Sequence, residues 1–263
     1  MITSTQNQQV KHVIALRKKG KYRRENESYL VEGSRMFFEL APKEIVSVYL
    51  SDHYEKLALS GKEKMPAIPY ETVSDDVFAQ MSDTQTPQGI LAVAKMKHYT
   101  MEDILTPALG TDAPLVLILE NLQDPGNLGT ILRSAEAAGV SGILMTEGTV
   151  DIYNSKVVRS TMGAGLRVPF MYTENLKQTV DVLRGHKLRI YAAYLDKSTA
   201  YDRVDYTDGT AFMIGNEAAG LTKEAVSLSD GKIHIPMLGK VESLNAGVAA
   251  SLLVYEAARQ RRS

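Results

Sequence analysis

The sequence contains no cysteine, and none of its apolar runs approaches the length of a membrane span. The lack of cysteine excludes disulfides, thiolate nucleophiles and cysteine-rich zinc sites. A transmembrane helix needs about 18–20 consecutive apolar residues, and the first residues, 1–6, have no apolar core of signal-peptide length. We therefore expect a cytoplasmic protein without a membrane partner.

The composition is that of a soluble protein with a substantial core. The chain has 263 residues, of which 44% are hydrophobic and 23% are charged. This length exceeds that of a common single domain, so two domains are expected.

Positive charge is concentrated near the start of the chain, although the formal net charge is only -1. No acidic residue interrupts one run of cations: Lys11, Arg17, Lys18, Lys19, Lys21, Arg23 and Arg24. Such a run can bind the phosphates of RNA by releasing their counterions. It can equally be a solvated helix face or a loose N-terminal arm, and at this point both interpretations remain open.

Patterning divides the chain into two α/β regions. Residues 1–97 predict a small unit with strands at 28–31, 45–50 and 89–94, and they carry no nucleophile–base pair or phosphate loop. This unit is interpreted as a binding module. Residues 98–113 gather turn formers and predict a linker. Residues 114–263 contain near-continuous apolar strands at 115–119, 142–145, 189–193, 211–214 and 232–235. Helices separate these strands, which indicates a mainly parallel sheet covered on both faces.

The first segment with chemical potential follows the first of these strands. Its residues, Asp124-Pro125-Gly126-Asn127-Leu128-Gly129, do not form the dinucleotide-binding glycine pattern. They predict a sharp turn and a helix from about Asn127 to Gly139, in which Asn127 and Arg133 share a broad side. Asn127 is either an N-cap or a ligand residue. Arg133 is either a surface cation or a phosphate contact.

Two further segments end later strands. After the strand at 211–214 come Gly215, Glu217, Gly220 and Leu221, which predict either a ligand loop or an ordinary loop with an exposed acid. The third segment is Ile235-Pro236-Met237, followed by Ser243-Leu244-Asn245. In it, Ser243 is placed to cap a helix with small residues along one flank, which is consistent with tight internal packing or a subunit interface.

In order and completeness, the three segments resemble the motifs of the SpoU (TrmH-type) RNA 2′-O-methyltransferases of the SPOUT superfamily. The match covers about residues 115–262. The first motif is carried by Asn127, Gly129 and Arg133, the second by Gly215, Glu217, Gly220 and Leu221, and the third by Ile235-Pro236-Met237 and Ser243-Leu244-Asn245. Less specifically, Ser4, Asn7, Val10-Lys11 and Leu30-Val31-Glu32-Gly33 are similar to a ribosomal-protein-like substrate-binding domain of this family.

The resemblance implies a C-terminal α/β domain threaded into a trefoil knot, which general chain topology would not have predicted. It implies a homodimer that uses S-adenosylmethionine and binds RNA, and no metal. The expected cofactor-binding residues are Gly215, Ile235, Met237, Leu244 and Ala193. The N-terminal run, as the RNA-binding residues of such a domain, supplies Lys11, Arg17, Lys18, Lys19, Arg23 and Arg24.

The implied reaction is methyl transfer to a ribose 2′-hydroxyl, with Arg133 in the activating role. An arginine stays protonated at physiological pH, so we expect Arg133 to grip a phosphate and stabilise the developing alkoxide. The residues expected to orient Arg133, the ribose and the loop are Asn127, Glu217, Ser243 and Asn245. Ribosomal RNA is predicted as the substrate because of the extra N-terminal domain. The alternatives are transfer RNA, methylation of a base, and a non-catalytic RNA-binding protein.

Overall fold

The structure, a computed structural model, describes residues 1–108 and 110–262, with the side chain of Leu166 left out. Leu109 in the predicted linker and Ser263 at the end of the predicted second domain lie outside the described residues. The chain divides into two compact units. The first comprises Met1–Lys97 and Asp151–Leu166, and the second comprises His98–Val150 and Arg167–Ser263.

The first unit is built on a four-stranded sheet in the order β1-β4-β2-β3. β1 and β2 run antiparallel to β4, and β3 runs parallel to β2. The strands are β1 (Ser28–Glu32), β2 (Ile45–Ser51), β3 (Glu71–Val73) and β4 (Ile90–Lys95). The helices of the same stretch are α1 (Gln8–Lys18), α2 (Gly20–Glu25), α3 (Ser34–Phe37), α4 (Asp52–Leu59) and α5 (Asp75–Met81), with a 3-10 turn at Pro42–Glu44.

Both faces of this sheet are buried. Alternate residues of β1 point to opposite faces and belong to two different hydrophobic clusters. Tyr29 and Val31 belong to one buried cluster. Leu30 belongs to the other, which also contains Val10 and Val13 of α1. The short predicted strands match β1, β2 and β4 to within a residue or two at each end.

A segment from the second half of the sequence completes the first unit. Asp151–Leu166 contains a helix at Ser155–Ser160 (α8 in chain order) and a 3-10 turn at Ala164–Leu166. Val158 is buried in the Tyr29 cluster, and the rings of Tyr29 and Tyr153 lie 4.5 Å apart. The predicted division at 1–97, 98–113 and 114–263 therefore differs from the structure here, since it assumed that each domain is continuous in sequence.

The second unit contains a seven-stranded sheet in the order β7-β6-β5-β10-β8-β11-β9. Every neighbouring pair is parallel. The strands are β5 (Leu115–Leu119), β6 (Gly142–Thr146), β7 (Phe170–Thr173), β8 (Arg189–Ala193), β9 (Thr199–Ala200), β10 (Thr210–Ile214) and β11 (Gly231–His234). The helices are α6 (Met101–Leu105), α7 (Pro125–Ala138), α9 (Leu176–Gly185), α10 (Lys223–Ser227) and α11 (Ala246–Arg261), with a 3-10 turn at Tyr201–Arg203.

The α/β fold class with a mainly parallel sheet is confirmed. The five predicted apolar strands are present as β5, β6, β8, β10 and β11. β7 and β9 were not predicted, because they lack a comparable apolar run. The stretch predicted as a linker contains α6, whose Ile104 is fully buried in the core of the second unit. A capping box between Thr100 and Asp103 begins this helix.

Two helices of the second unit pack closely through small residues. A Cβ at Gly247 of α11 would lie 3.1 Å from Thr130 of α7, and the hydroxyl oxygens of Ser134 and Ser251 are 2.6 Å apart. The small flank predicted for α11 is thus used in internal packing. Among the described residues, no helix is both long enough and apolar enough to cross a membrane.

Candidate active site

Three loops meet where parallel strands end, the edge at which open α/β sheets bind ligands. We call them the β5 loop (residues 120–124), the β10 loop (215–222) and the β11 loop (235–244). All three belong to the second unit, and β5 and β10 are hydrogen-bonded neighbours in the sheet. Each of the three predicted motifs contributes to one of these loops or to the helix that follows it.

One chain of hydrogen bonds joins the three motifs. Asn127 donates from Nδ2 to Oε1 of Glu217 at 3.0 Å. Its Oδ1 accepts from Nδ2 of Asn245 at 2.7 Å. Asn245 in turn caps α11, since its Oδ1 accepts from the backbone N–H groups of Gly247 and Val248. Asn127 is therefore a buried connector and not a helix cap, and the cap of α7 is Asp124.

The Glu217 carboxylate fastens the β10 loop to the β5 loop. Besides Asn127, it accepts hydrogen bonds from the backbone N–H groups of Gln123 at 3.2 Å and Asp124 at 3.0 Å. Partial burial acts to raise the pKa of Glu217. The hydrogen bond from Asn127 and those from the backbone outweigh it and hold the pKa below its usual value. Glu217 is thus an ionised structural acceptor at neutral pH.

The β10 loop folds back on itself through Asn216 and Gly220, whose backbone groups exchange hydrogen bonds at 3.1 and 2.9 Å. The Asn216 side chain also donates to the carbonyl oxygen of Asn121 at 2.8 Å. Gly215 lies against the turn so closely that a Cβ there would be 2.2 Å from the carbonyl carbon of Gly220. Only glycine fits this position without moving the backbone.

Sequence reasoning missed Glu120, the buried first residue of the β5 loop. It is 6% exposed, and its two oxygens accept from the backbone N–H of Thr222 at 2.8 Å and from its hydroxyl at 2.6 Å. Thr222 also caps α10. In the sequence, Glu120 is marked only by its position directly after the five apolar residues 115–119. Asn121, Asn216 and Thr222 were missed as well.

A cleft of about 500 Å³ opens between the β10 and β11 loops. This volume lies in the range that holds nucleoside-sized ligands. Among the lining residues are all five predicted for cofactor binding, Gly215, Ile235, Met237, Leu244 and Ala193. Two further acidic residues, Asp196 and Glu242, also line the cleft, which suits a ligand that carries positive charge.

Arg133 and Ser243 stand apart from the hydrogen-bonded chain. Arg133 is exposed on α7, opposite in environment to the buried Asn127, and no described residue holds its side chain by a hydrogen bond or ion pair. The two therefore do not share one side of α7 as predicted. Ser243 lines the cleft and is exposed, and it does not cap α11 as predicted because Asn245 does.

The basic run lies in the first unit, and its members differ in availability. Arg23 is 4% exposed and pairs with Asp151 at 2.5 Å, while its Nη1 donates to the carbonyl oxygen of Leu16. The prediction that Arg23 binds RNA is therefore wrong in this structure, since its guanidinium is buried and occupied. Arg17 donates to the carbonyl oxygens of Gln80 and Ser82. The remaining predicted cations are exposed, namely Lys11, Lys18, Lys19 and Arg24.

Within the described ranges, no group of three or more histidine or acidic side chains is arranged to hold a metal ion. His234 lines the cleft and contacts the Ser198 hydroxyl at 2.9 Å through Nδ1. It was not among the predicted site residues.

Residues 114–255 match the model of the SpoU rRNA Methylase family, and residues 7–92 match an MRM3-like substrate binding domain. The chain belongs to the SpoU methylase family. It is 33% identical to the 23S rRNA (guanosine(2553)-2′-O)-methyltransferase RlmP of Bacillus subtilis, over 97% of each chain. It is 30% identical to the human mitochondrial rRNA methyltransferase 3, over 95% of this chain and 72% of that one.

Two solved methyltransferase structures are similar to nearly the full length of this chain. The AdoMet-bound rRNA methyltransferase from Sinorhizobium meliloti superposes with a TM-score of 0.83 at 28% identity, over 98% of this chain and 97% of that one. The SpoU methyltransferase AviRb from Streptomyces viridochromogenes, in complex with AdoMet, gives 0.83 at 25% identity over 98% and 99%.

The predicted family, the enzyme class and the cofactor are confirmed. This SpoU-family chain is an RNA methyltransferase that uses S-adenosylmethionine. The glycine-walled cleft with its carboxylates fits that cofactor, which carries both an ammonium and a sulfonium charge. The trefoil knot stays a prediction.

Proposed function

We propose that this protein methylates a ribose 2′-hydroxyl of ribosomal RNA. The observation that carries the proposal is the chain from Glu217 through Asn127 to Asn245, which draws all three family motifs to the edge of one cleft. The bacterial relative named for 2′-O-methylation of 23S rRNA is similar along nearly its entire length, which supports both the ribose and the ribosomal assignment. Residues similar to a substrate-binding domain precede the catalytic unit.

In the proposed site, S-adenosylmethionine supplies an electrophilic methyl group when bound. The residues that would hold the cofactor are those of the Gly215 turn, Ile235, Met237 and Leu244 of the β11 loop, and Ala193. Within the protein itself, Glu217 and Asn216 hold the β10 loop against the β5 loop by hydrogen bonds. Rigid positioning of this kind supplies much of the rate when the nucleophile is a protonated hydroxyl.

Arg133 is the residue we propose to act on the RNA. Its exposed guanidinium is available to hold a phosphate and to stabilise the alkoxide that forms as the 2′-hydroxyl loses its proton. Glu217, Asn127 and Asn245 orient α7, which carries Arg133, and Ser243 lies at the cleft where a ribose would approach. Lys11, Lys18, Lys19 and Arg24 are proposed to contact the RNA backbone.

We further propose a homodimer in the cytoplasm. Three apolar side chains with helical spacing are exposed on α11: Val248 by 45%, Leu252 by 37% and Tyr255 by 46%. Exposed apolar stripes of this kind are typical of protein interfaces. A subunit partner would also supply surroundings for Arg133, which has no partner side chain among the described residues of its own chain.

The test is methyl transfer from labelled cofactor to ribosomal and transfer RNA, supplied separately, with the product mapped by mass spectrometry. The expected product is a 2′-O-methylated nucleotide in ribosomal RNA. Arg133→Lys should lower turnover at least about 100-fold, because an ammonium cannot replace the guanidinium fork. Arg189→Lys is the matched control, because Arg189 is exposed at the first residue of β8, at the other end of the strands from the cleft, and it should keep normal turnover.

Label only in transfer RNA would refute the ribosomal assignment, and label on a base would refute the ribose assignment. Label in neither RNA would refute the catalytic proposal. Light scattering on the same preparation should give twice the chain mass, and a monomer at all concentrations would contradict the dimer.

A further inference from the structure

Segment 151–166 lies in the part of the sequence that matches the methylase model, yet it belongs to the first unit. Its attachment is specific. Asp151 pairs with the buried Arg23 at 2.5 Å, and a Cβ at Gly20 would lie 3.2 Å from the same carboxylate. The junction of α1 and α2 therefore abuts the segment that leads into α8.

The same part of the first unit collects cations from two distant stretches of sequence. Arg17 and Arg159 line one small cavity together with Asp83 and Ser155. The same Cβ added at Gly20 would lie 3.5 Å from Nη1 of Arg24. α8 adds Lys156, which is exposed, and Arg159, whose side chain is 46% exposed.

The carboxylates of this region are already engaged by protein groups. Asp151 accepts two hydrogen bonds from Arg23. Asp83 accepts from the Ser155 hydroxyl at 3.0 Å and lies 3.7 Å from Arg159. Glu32 accepts from the hydroxyls of Ser82 and Thr84. No described residue makes a side-chain hydrogen bond or ion pair with Lys156, so its charge is available to a mobile anion.

We propose that Lys156 and Arg159 of α8, with Arg24, Lys18 and Lys19 of the α1–α2 junction, form one phosphate-binding surface for the RNA substrate. We call it the α8 surface. Exposed cations that bind the same phosphate backbone release several counterions together. Lys156 and Arg159 lie outside residues 7–92, the stretch similar to a substrate-binding domain. The proposal rests on the RNA substrate proposed above and adds where that RNA is held.

The experiment measures filter binding of the full-length protein to an in vitro transcript of 23S ribosomal RNA at several KCl concentrations. The double variant Lys156→Gln with Arg159→Gln should bind about 10-fold more weakly at about 0.1 M salt. The slope of log affinity against log salt should fall by about one for each phosphate contact removed. The single variant Lys156→Gln should show about half of the slope change, and Lys156→Arg should restore wild-type binding.

Lys62→Gln is the matched control, because Lys62 is exposed after α4, which packs on β2 and β3 at the other end of the same sheet. Calorimetric affinity for S-adenosylmethionine should be unchanged in all variants, which shows that the second unit is intact. If wild type methylates RNA while the double variant keeps the affinity and slope of the control, the α8 surface alone is overturned. If wild type binds no RNA, both this surface and the proposed substrate are overturned.

Discussion

The β10 loop and the β11 loop border the same cleft, but the protein holds them very differently. Glu217, Asn216 and Thr222 of the first form hydrogen bonds with the β5 loop or with α7. For residues 236–244 of the second, the described residues make no hydrogen bond at all, and Leu238 is fully exposed. Hydrogen bonds within the protein thus preorganise the β10 side of the cleft, whereas the described residues supply none to residues 236–244 on the β11 side.

The largest loss of cofactor affinity is expected for Gly215→Ala, which should disrupt the β10 loop. The new Cβ would lie 2.2 Å from the carbonyl carbon of Gly220 and 2.3 Å from the backbone nitrogen of Leu221, so the backbone has to move. We expect affinity for S-adenosylmethionine to fall at least about 100-fold by calorimetry. Gly239→Ala in the β11 loop meets no atom within 4 Å and should change the affinity less than about 3-fold. Equal losses in the two variants would contradict the comparison.

Glu217→Gln should loosen the same loop less drastically. Gln keeps one carbonyl acceptor but loses the charge that three donors share, and we expect methyl transfer to fall about 10- to 30-fold. Because these hydrogen bonds lower the pKa of Glu217, its stabilisation is present above the ordinary carboxyl pKa and is lost as the pH falls through the lowered value.

Melting temperature against pH checks this sign. Wild type should exceed Glu217→Gln at pH 7, and the difference should shrink below about pH 4. A difference that grows on acidification would contradict the assigned role. Ala219→Ser, exposed in the same loop, serves as the control and should match wild type.

The smallest effect is expected for proteolysis of the β11 loop, in which the described residues make no hydrogen bond at 236–244. Lys240 is exposed in the β11 loop and offers trypsin a site. Saturating S-adenosylmethionine should slow cleavage there several-fold, because a ligand that uses the loop restrains it. Cleavage after Lys62 in the first unit should keep its rate. Unchanged cleavage at Lys240 would mean that cofactor binding does not restrain the β11 loop.

Sequence reasoning predicted the elements better than the contacts between them. The apolar strands at 115–119 and 189–193 were found to the residue, because a buried parallel strand is nearly uniform in hydrophobicity. β9 has two residues and no such pattern. Segment 151–166 was misplaced because Val158 packs on a sheet whose strands lie more than sixty residues away in sequence.

At the site, residue types indicated polar positions but not their partners. Asn127 could be read as a cap, yet its two amide atoms each serve another motif. Glu120 had no motif to mark it. Its role is to accept hydrogen bonds from Thr222, which lies 102 residues away in sequence, so only the fold shows this contact. The basic run had the opposite problem, because charge alone cannot tell the buried Arg23 from the exposed Lys18.

The pairing of Arg23 with Asp151 also constrains the order in which the protein takes shape on the ribosome. The two residues are separated by 128 positions, so the first unit cannot finish folding when residue 97 leaves the exit tunnel. Burying the guanidinium of Arg23 without its carboxylate is strongly unfavourable. Until Asp151 is synthesised, this guanidinium would therefore have to stay hydrated. The unit that begins the chain is therefore completed only after two strands of the other sheet, β5 and β6, have been made.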